Sequence, residues 1–307
     1  MATSLTEDLP RLPVNDAAAL RQRQGTLLMV GGGLLLGTLG VFVQEAGQDP
    51  LTTVWFRCAF GAAALLLWTA ATGRWAELRL RGAGLWAALA AGVLMILNWA
   101  LFFAAIPRTS IGVATVVFHV QPLWVMALGA WWLREPVSRR QVGAAAVALL
   151  GLALATGLLD GAAAGAVTSP RYLAGLALCL GGSFSYACVT LIAKSARSVS
   201  SLALAWWQCL VGTVALAGWP LWHGWPAAGP AWAWLAGLGA IHTGLAYVVL
   251  YGGMARLPAG RIAVLQFVYP AAALVMDGWV YGRVPSALQA AGMGLMGLAL
   301  LSVRRGG

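Results

Sequence analysis

The sequence predicts an all-α integral membrane protein: ten transmembrane helices built from two inverted five-helix repeats, with both termini in the cytoplasm. Three observations predict it. Of 307 residues, 61% are hydrophobic and only 9% are charged, where an ordinary globular domain carries about 25% charge. A water-soluble fold of this size cannot hide that much apolar surface. Ten apolar runs are long enough to cross a bilayer, and the sequence matches itself at a shift of 148 positions. The same composition excludes a disordered chain, a collagen-like repeat and a small disulfide scaffold.

A helix needs about 20 apolar residues to cross a hydrocarbon core of about 30 Å. The runs fall near 25–43, 52–71, 85–106, 110–133, 141–159, 172–193, 201–221, 231–254, 261–281 and 287–303. Turn residues separate them, as in Gln48-Asp49-Pro50, Ile106-Pro107-Arg108, Arg134-Glu135-Pro136 and the stretch from Trp225 to Pro230. No connection is long enough to hold a soluble domain, so the chemistry lies within the bilayer. Residues 1–24 are polar, contain two prolines and end in Arg21 and Arg23. They read as a mobile cytoplasmic tail before a first helix that is retained, because the apolar run is longer than a signal-peptide core and lacks a small-residue cleavage site. The two repeats then occupy 25–159 and 172–303.

Direction follows from the basic residues. The tails, the even-numbered connections and their flanks hold fifteen Arg and Lys, including Arg74, Arg79, Arg81, Arg134, Arg139, Arg140, Lys194 and Arg256. The odd-numbered connections hold three, Arg108, Arg171 and Arg283, and Arg57 lies inside a run. Positive charge collects on the cytoplasmic side, which places both termini there and favours an even number of crossings. The net charge of +10 has this origin. The basic residues form no dense stripe interleaved with aromatics, so nucleic acid is not an expected partner. Lys194 is the one lysine, a bias that fits a GC-rich bacterial genome.

At the 148-residue shift, Pro122 falls on Pro270, Ser138 on Ser286, Gln141 on Gln289, Arg108 on Arg256 and Gly112 on Gly260. Slightly different offsets bring Gln208 onto Arg57 and Gly212 onto Gly61. A repeat of five crossings is odd, so the second copy must sit upside down. The charges follow suit: the turn with Arg134, Glu135, Arg139 and Arg140 has a counterpart that keeps only Arg283. Inverted repeats around a midplane site are a transporter signature.

Two five-helix halves, the Arg134-Glu135-Pro136-Val137-Ser138-Arg139-Arg140-Gln141-Val142-Gly143 segment, the mid-helix Pro122 and Pro270, and Arg57 in the second run resemble the drug/metabolite transporter superfamily, in its EamA-type ten-helix form. The resemblance covers nearly the whole chain after residue 24. It implies a carrier of small metabolites, amino acids or drugs in the bacterial inner membrane, often working outward. The sequence departs from that pattern at Arg283-Val284-Pro285, where the family's second copy often carries an acid before its Ser-x-x-Gln segment.

Polar side chains inside a membrane helix are costly and face a cavity or another helix. Ser183, Tyr186, Thr190 and Lys194 lie at i, i+3, i+7 and i+11, one stripe of a helix, and Gln266, Tyr269, Ala273 and Asp277 repeat the pattern. The stripes read as the lining of a shared path, or as polar glue between packed helices. Asn98, Trp99, His119, Trp124, His242, Tyr247 and Tyr251 add amphipathic groups near mid-depth. From these, Asn98, Trp99, His119, Trp124, Ser183, Tyr186, Tyr247, Gln266 and Tyr269 are the expected substrate contacts. Such a lining suits an amphipathic solute, uncharged or zwitterionic. Most of the sixteen tryptophans, Trp131, Trp132, Trp219, Trp222, Trp232 and Trp234 among them, fall near the expected interfaces.

Coupling or gating is expected of Glu45, Arg57, Lys194, His242 and Asp277. A central Arg costs about 2.5–3.5 kcal/mol on insertion scales. Arg57 therefore needs either an ion pair with Glu45, Asp49 or Asp277 or a snorkelling route to the outer interface. Protons are a candidate coupling ion, with Glu45, Asp277, His119 and His242 as the titrating groups. Pro122 and Pro270 each remove a backbone hydrogen bond and supply a hinge.

No metal or cofactor is expected. Cys58, Cys179, Cys188 and Cys209 form no C-x-x-C pair and read as small core residues. There is no H-E-x-x-H or Walker loop, and Gly292-Met293-Gly294-Leu295-Met296-Gly297 lies within an apolar run with no strand before it. The leading reading is a secondary transporter, an exporter of small metabolites. A lipid flippase or membrane sensor is the alternative. Less favoured is an intramembrane hydrolase using Ser183 with His242, which would need the two within hydrogen-bond reach.

Overall fold

A computed structural model describes residues 14–109, 111–156, 169–282 and 284–304, and these are helical with no strand among them. Arg11, Arg283 and Arg305 of the charge count, and the expected end of the first repeat at 157–159, lie outside the described residues.

Among the described residues, eight helices are long and apolar enough to cross a membrane: α1 Asp16–Ala46, α2 Pro50–Thr72, α3 Gly82–Arg108, α4 Val113–Trp132, α6 Pro170–Ser195, α7 Ser201–His223, α8 Ala231–Met254 and α9 Ala259–Tyr281. Two more, α5 Arg139–Ala155 and α10 Ala287–Arg304, have 17 and 18 residues. At about 1.5 Å per residue they reach about 26 Å, short of a core of about 30 Å. The helix of α10 covers the whole expected run 287–303, whereas the described helix of α5 ends at Ala155, within the run expected over 141–159.

The helix starts are chemically marked. Asp49 caps α2 by accepting the N–H groups of Leu51 and Thr52, with Pro50 in the first turn. Ser169 does the same for α6 through Tyr172, and Ser200 for α7 through Ala203. At Gly47 and Gly73 the chain turns with φ of 59° and 68°, a left-handed conformation that glycine adopts without strain. Ser138 and Gln141 form a reciprocal capping box at α5, at 2.9 and 3.2 Å, and Ser286 and Gln289 repeat it at α10 with the same two distances.

Small residues let the helices meet at backbone distance, as membrane packing requires. A Cβ added to Gly292 would lie 2.4 Å from the Gly151 carbonyl oxygen, which fixes α5 against α10. A Cβ on Gly239 would lie 2.7 Å from the Gly61 nitrogen, which fixes α8 against α2. Cys58, Cys179 and Cys209 are buried in such contacts, Cys58 Sγ filling the space beside Gly212. Outward, the bundle exposes Leu67, Trp86, Trp131, Trp222 and other large apolar side chains, a surface suited to lipid and not to water.

Three helices are irregular near mid-depth. The helical path of α4 breaks between Phe118 and Gln121, and that of α9 between Leu265 and Val268. Pro122 and Pro270 each sit in the first turn after the break, where a missing N–H leaves a carbonyl of the preceding turn unbonded. In α8, Leu238–Leu245 form a π-helical segment. Here Thr243 donates its hydroxyl to the Leu238 carbonyl, five residues back, at 2.9 Å. Such segments often mark functional positions.

Candidate functional site

The two ends of the bundle differ. At the end where α4 and α6 finish and α9 begins, Lys194 Nζ lies 2.7 Å from Glu135 Oε1 and donates to the Leu257 carbonyl at 2.7 Å. Glu135 also accepts the Ala259 N–H at 2.7 Å. Beside them, the capping residue Gln141 occupies the space a side chain at Gly260 would need, 2.4 Å from its ideal Cβ. Four polar partners thus clasp α4 and α5 onto α6 and α9.

At the other end of α9 a cavity of about 800 Å³ opens, lined by α1, α4, α5, α9 and α10. Gln44, Asp277, Tyr281 and Gln289 line it near the ends of their helices, and His119 and Tyr269 line it at the breaks in α4 and α9. Tyr281 donates to Glu45 at 3.2 Å across the rim. Of the α9 stripe, Tyr269, Ala273 and Asp277 all line this cavity, along with Pro270, whereas none of the α6 stripe does.

A second cluster, of amphipathic groups, centres on Arg57. Arg57 is only 6% exposed. Its Nε donates to Thr243 Oγ1 at 3.1 Å, and its guanidinium lies 5.1 Å from the centre of the Trp99 ring. Tyr186, Tyr247 and Tyr269 are within electrostatic reach of that guanidinium. Tyr186 stacks on Phe118 and Tyr247 on Tyr251. Tyr269 belongs both to this cluster and to the cavity, so the two adjoin.

This corrects the expectation for Arg57. Among the described residues the ion pairs are Arg74–Glu77 and Lys194–Glu135, so Arg57 pairs with none of Glu45, Asp49 or Asp277. Nor does it snorkel: Thr243 and Trp99 hold it inside. The reason is local, since the π-helical turn swings Thr243 toward α2 where Gly61 and Gly239 bring the two helices into contact.

Other expected contacts join helices to one another. Asn98 donates to the Gly182 carbonyl at 3.0 Å, tying α3 to α6. The Trp124 indole N–H donates to Ser183 Oγ at 3.1 Å, and Ser183 donates to the Leu180 carbonyl at 2.9 Å. His242 Nε2 lies 2.8 Å from Thr38 Oγ1. Ser183 and His242 thus bond different partners and not each other. Gln266 Oε1 accepts from Gln121 Nε2 at 3.0 Å, and both amides reach Thr190. His119 Nδ1 donates to the Thr115 carbonyl at 2.7 Å, and its ring lies 6.1 Å from that of Tyr269.

Several residues of these networks were not among the expected site residues, Glu135, Gln121, Thr243 and Thr38 among them. Two carry a faint mark in the sequence. At the 148-residue shift Gln121 falls on Tyr269, and Glu135 falls on Arg283.

The sequence profile of the EamA-like transporter family matches the chain twice, over residues 23–157 and 173–305. An uncharacterized transporter of Bacillus subtilis, YxxF, is 26% identical over 285 residues, covering 91% of this chain and 89% of its own length. An uncharacterized transporter of Archaeoglobus fulgidus is 27% identical over 273 residues, covering 88% and 92%. A protein of known crystal structure superposes with a TM-score of 0.79 at 20% identity, over 92% of this chain and 98% of that one; this is a likeness of fold. With apolar membrane-length helices and a family profile that spans most of the chain twice, the protein is a multi-pass membrane protein that belongs to the EamA-like transporter family.

Proposed function

We propose that the protein is a secondary active transporter that exports small amphipathic metabolites across the bacterial inner membrane by alternating access. In this reading all ten helices cross the bilayer, as inverted repeats over 25–159 and 172–303 with both termini in the cytoplasm. The shorter α5 and α10 cross together, packed along Gly151 and Gly292, with local thinning of the bilayer accommodating their length. The observation that carries the proposal is the contrast between the ends: the Glu135–Lys194 clasp closes one while a cavity of about 800 Å³ reaches from the other to mid-depth. By the charge count, the closed end is cytoplasmic.

The carrier would cycle by releasing the clasp and closing the mouth, with the broken α4 and α9 flexing at Pro122 and Pro270. The Arg57–Trp99–Tyr269 region would hold the solute. His119 and Asp277 line one cavity, which makes them the preferred sites for proton coupling over Glu45 and His242.

Counterflow of labelled amino acids and organic acids in proteoliposomes tests the proposal. Wild type should exchange at least one solute class. Glu135→Gln and Lys194→Gln should each lower exchange by about tenfold, about 1.4 kcal/mol. The double exchange Glu135→Lys with Lys194→Glu should recover part of it. Unchanged rates in both single variants would remove the clasp from the mechanism. A wild type that moves no solute in the panel, yet scrambles labelled phospholipid, would replace this reading by a flippase.

A further inference from the structure

We propose that Arg57 and the hydroxyls of Tyr186, Tyr247 and Tyr269 bind the carboxylate of an organic anion, so that the transported class is aryl or alkyl carboxylates. This deepens the transporter reading above and rests on it.

The argument begins with what already holds Arg57. A guanidinium carries five N–H donors. Thr243 takes the Nε edge, and Thr243 is itself fixed because its hydroxyl is committed to the Leu238 carbonyl. Trp99 covers the guanidinium as a cation–π partner. No other partner within the described residues takes the Nη edge. Yet among those residues, the side-chain polar atoms buried without a partner are Trp206 Nε1 and Gln208 Nε2 alone. The Nη atoms therefore front a space that admits a water-sized group. The hydroxyls of Tyr186, Tyr247 and Tyr269 share that condition. They make no hydrogen bond to the described residues, and none is sealed from such a space. One cation and three phenol donors thus lie within electrostatic reach of one another with their hydrogen-bonding capacity unspent.

The cluster contains no carboxylate. An ammonium group would meet the like charge of Arg57 there, whereas an anion would supply the partner that a buried cation requires. The fold itself does not ask for the charge. Gln208, the repeat mate of Arg57, is a neutral amide that accepts the Tyr251 hydroxyl in the equivalent place on α7. A planar fork of Nη donors matches a carboxylate's two oxygens, and a single cation balances a single negative charge. Tyr186 stacked on Phe118 at 6.2 Å and Tyr247 on Tyr251 at 5.6 Å give aromatic walls for the body of the solute.

The test uses the purified full chain and neutral-to-charged matched sets: benzoate, phenylacetate, 3-phenylpropionate and indole-3-acetate, each with its amide, plus phenethylamine and inorganic phosphate. At least one carboxylate should raise the Tm and bind about tenfold or more tighter than its own amide, with phenethylamine and phosphate inert. Arg57→Gln should erase that preference, and Arg57→Lys should keep part of it. Equal binding of acid and amide, no binding by any carboxylate, or a preference that survives in Arg57→Gln overturns the proposal. The acid-against-amide comparison in wild type stands even if Arg57→Gln does not fold. Counterflow separates the two levels. Exchange of amines or neutral solutes untouched by carboxylates sinks this site and leaves the transporter. Arg57-dependent carboxylate binding with no exchange of any solute keeps the site and removes the transporter.

Discussion

The two ends of the bundle carry the same helix cap and use it differently. Ser138 with Gln141 and Ser286 with Gln289 start α5 and α10 with matching hydrogen bonds. At the first box, Gln141 sits over Gly260 and Glu135, three residues before the cap, takes both Lys194 and the Ala259 N–H. At the second, Gln289 lines the open cavity with Asp277 and Tyr281. The position that matches Glu135 is Arg283. A duplicated scaffold thus repeats its backbone chemistry faithfully and puts the difference between its ends into a few side chains. The lesson is that the caps belong to the fold, while Glu135, just before the first of them, joins Lys194 and the Ala259 N–H at the closed end.

The strongest way to break the comparison is to damage what both ends share. Gly292→Val would drive a side chain into the Gly151 carbonyl and the Ala155 nitrogen, which are backbone and cannot yield. Overpacking of this kind costs about 1–3 kcal/mol. Detergent-solubilised protein should show a lower Tm, and both ends should loosen together, so that probes at Leu257→Cys and Ala46→Cys, buried at the two ends, both gain reactivity with an impermeant maleimide. The caps allow a finer cut. Ser138→Ala and Ser286→Ala should each lose about 1 kcal/mol of stability. Only Ser138→Ala should raise labelling at Leu257→Cys, a buried position that serves the clasp through its backbone carbonyl, because only its box is built into the clasp. Equal labelling in the two variants would mean that the clasp stands without its cap.

Much of this was legible in the sequence, and for physical reasons. Apolar length marks the crossings, and a duplicated backbone must repeat its turn residues, so Pro122 and Pro270 or Ser138 and Ser286 recur at equal spacing. The α9 stripe is legible too: 3.6-residue periodicity sends Tyr269, Ala273 and Asp277 to one side, and all three line the cavity. Long-range pairing is not legible. Glu135 and Lys194 are far apart in the chain, and neither belongs to a periodic pattern that would join them. Arg57 meets Thr243 across 186 positions, and the π-helical turn that aims Thr243 leaves no signature in composition. The stripe on α6 leaves lining and helix-to-helix glue undivided for a related reason. Periodicity says that Ser183, Tyr186 and Thr190 share a side, but Trp124 and Gln121 arrive from α4 to occupy two of them. What a polar stripe faces is decided by the neighbouring helix.

The smallest expected effect tests whether the open end has a fixed frame of its own. Asp49, at the start of α2, accepts from the Trp219 indole at 3.1 Å and so ties α2 to α7. Burial alone would raise its pKa, but hydrogen bonds from the Thr52 hydroxyl and N–H, the Leu51 N–H and Trp219 outweigh it, so the carboxyl sits below its ordinary value of 3.8. A group with a depressed folded pKa adds stability above its unfolded value and loses it as the pH falls through the folded one. Asp49→Asn keeps a good helix cap and removes the titration. The Tm of wild type should therefore exceed that of Asp49→Asn at pH 5, and the gap should close as the pH drops below about 4. A gap that stays constant through this range would show that the charge of Asp49 contributes nothing. The α2–α7 frame would then rest on apolar packing and the neutral hydrogen bond from the Trp55 indole to the Thr213 carbonyl at 3.0 Å.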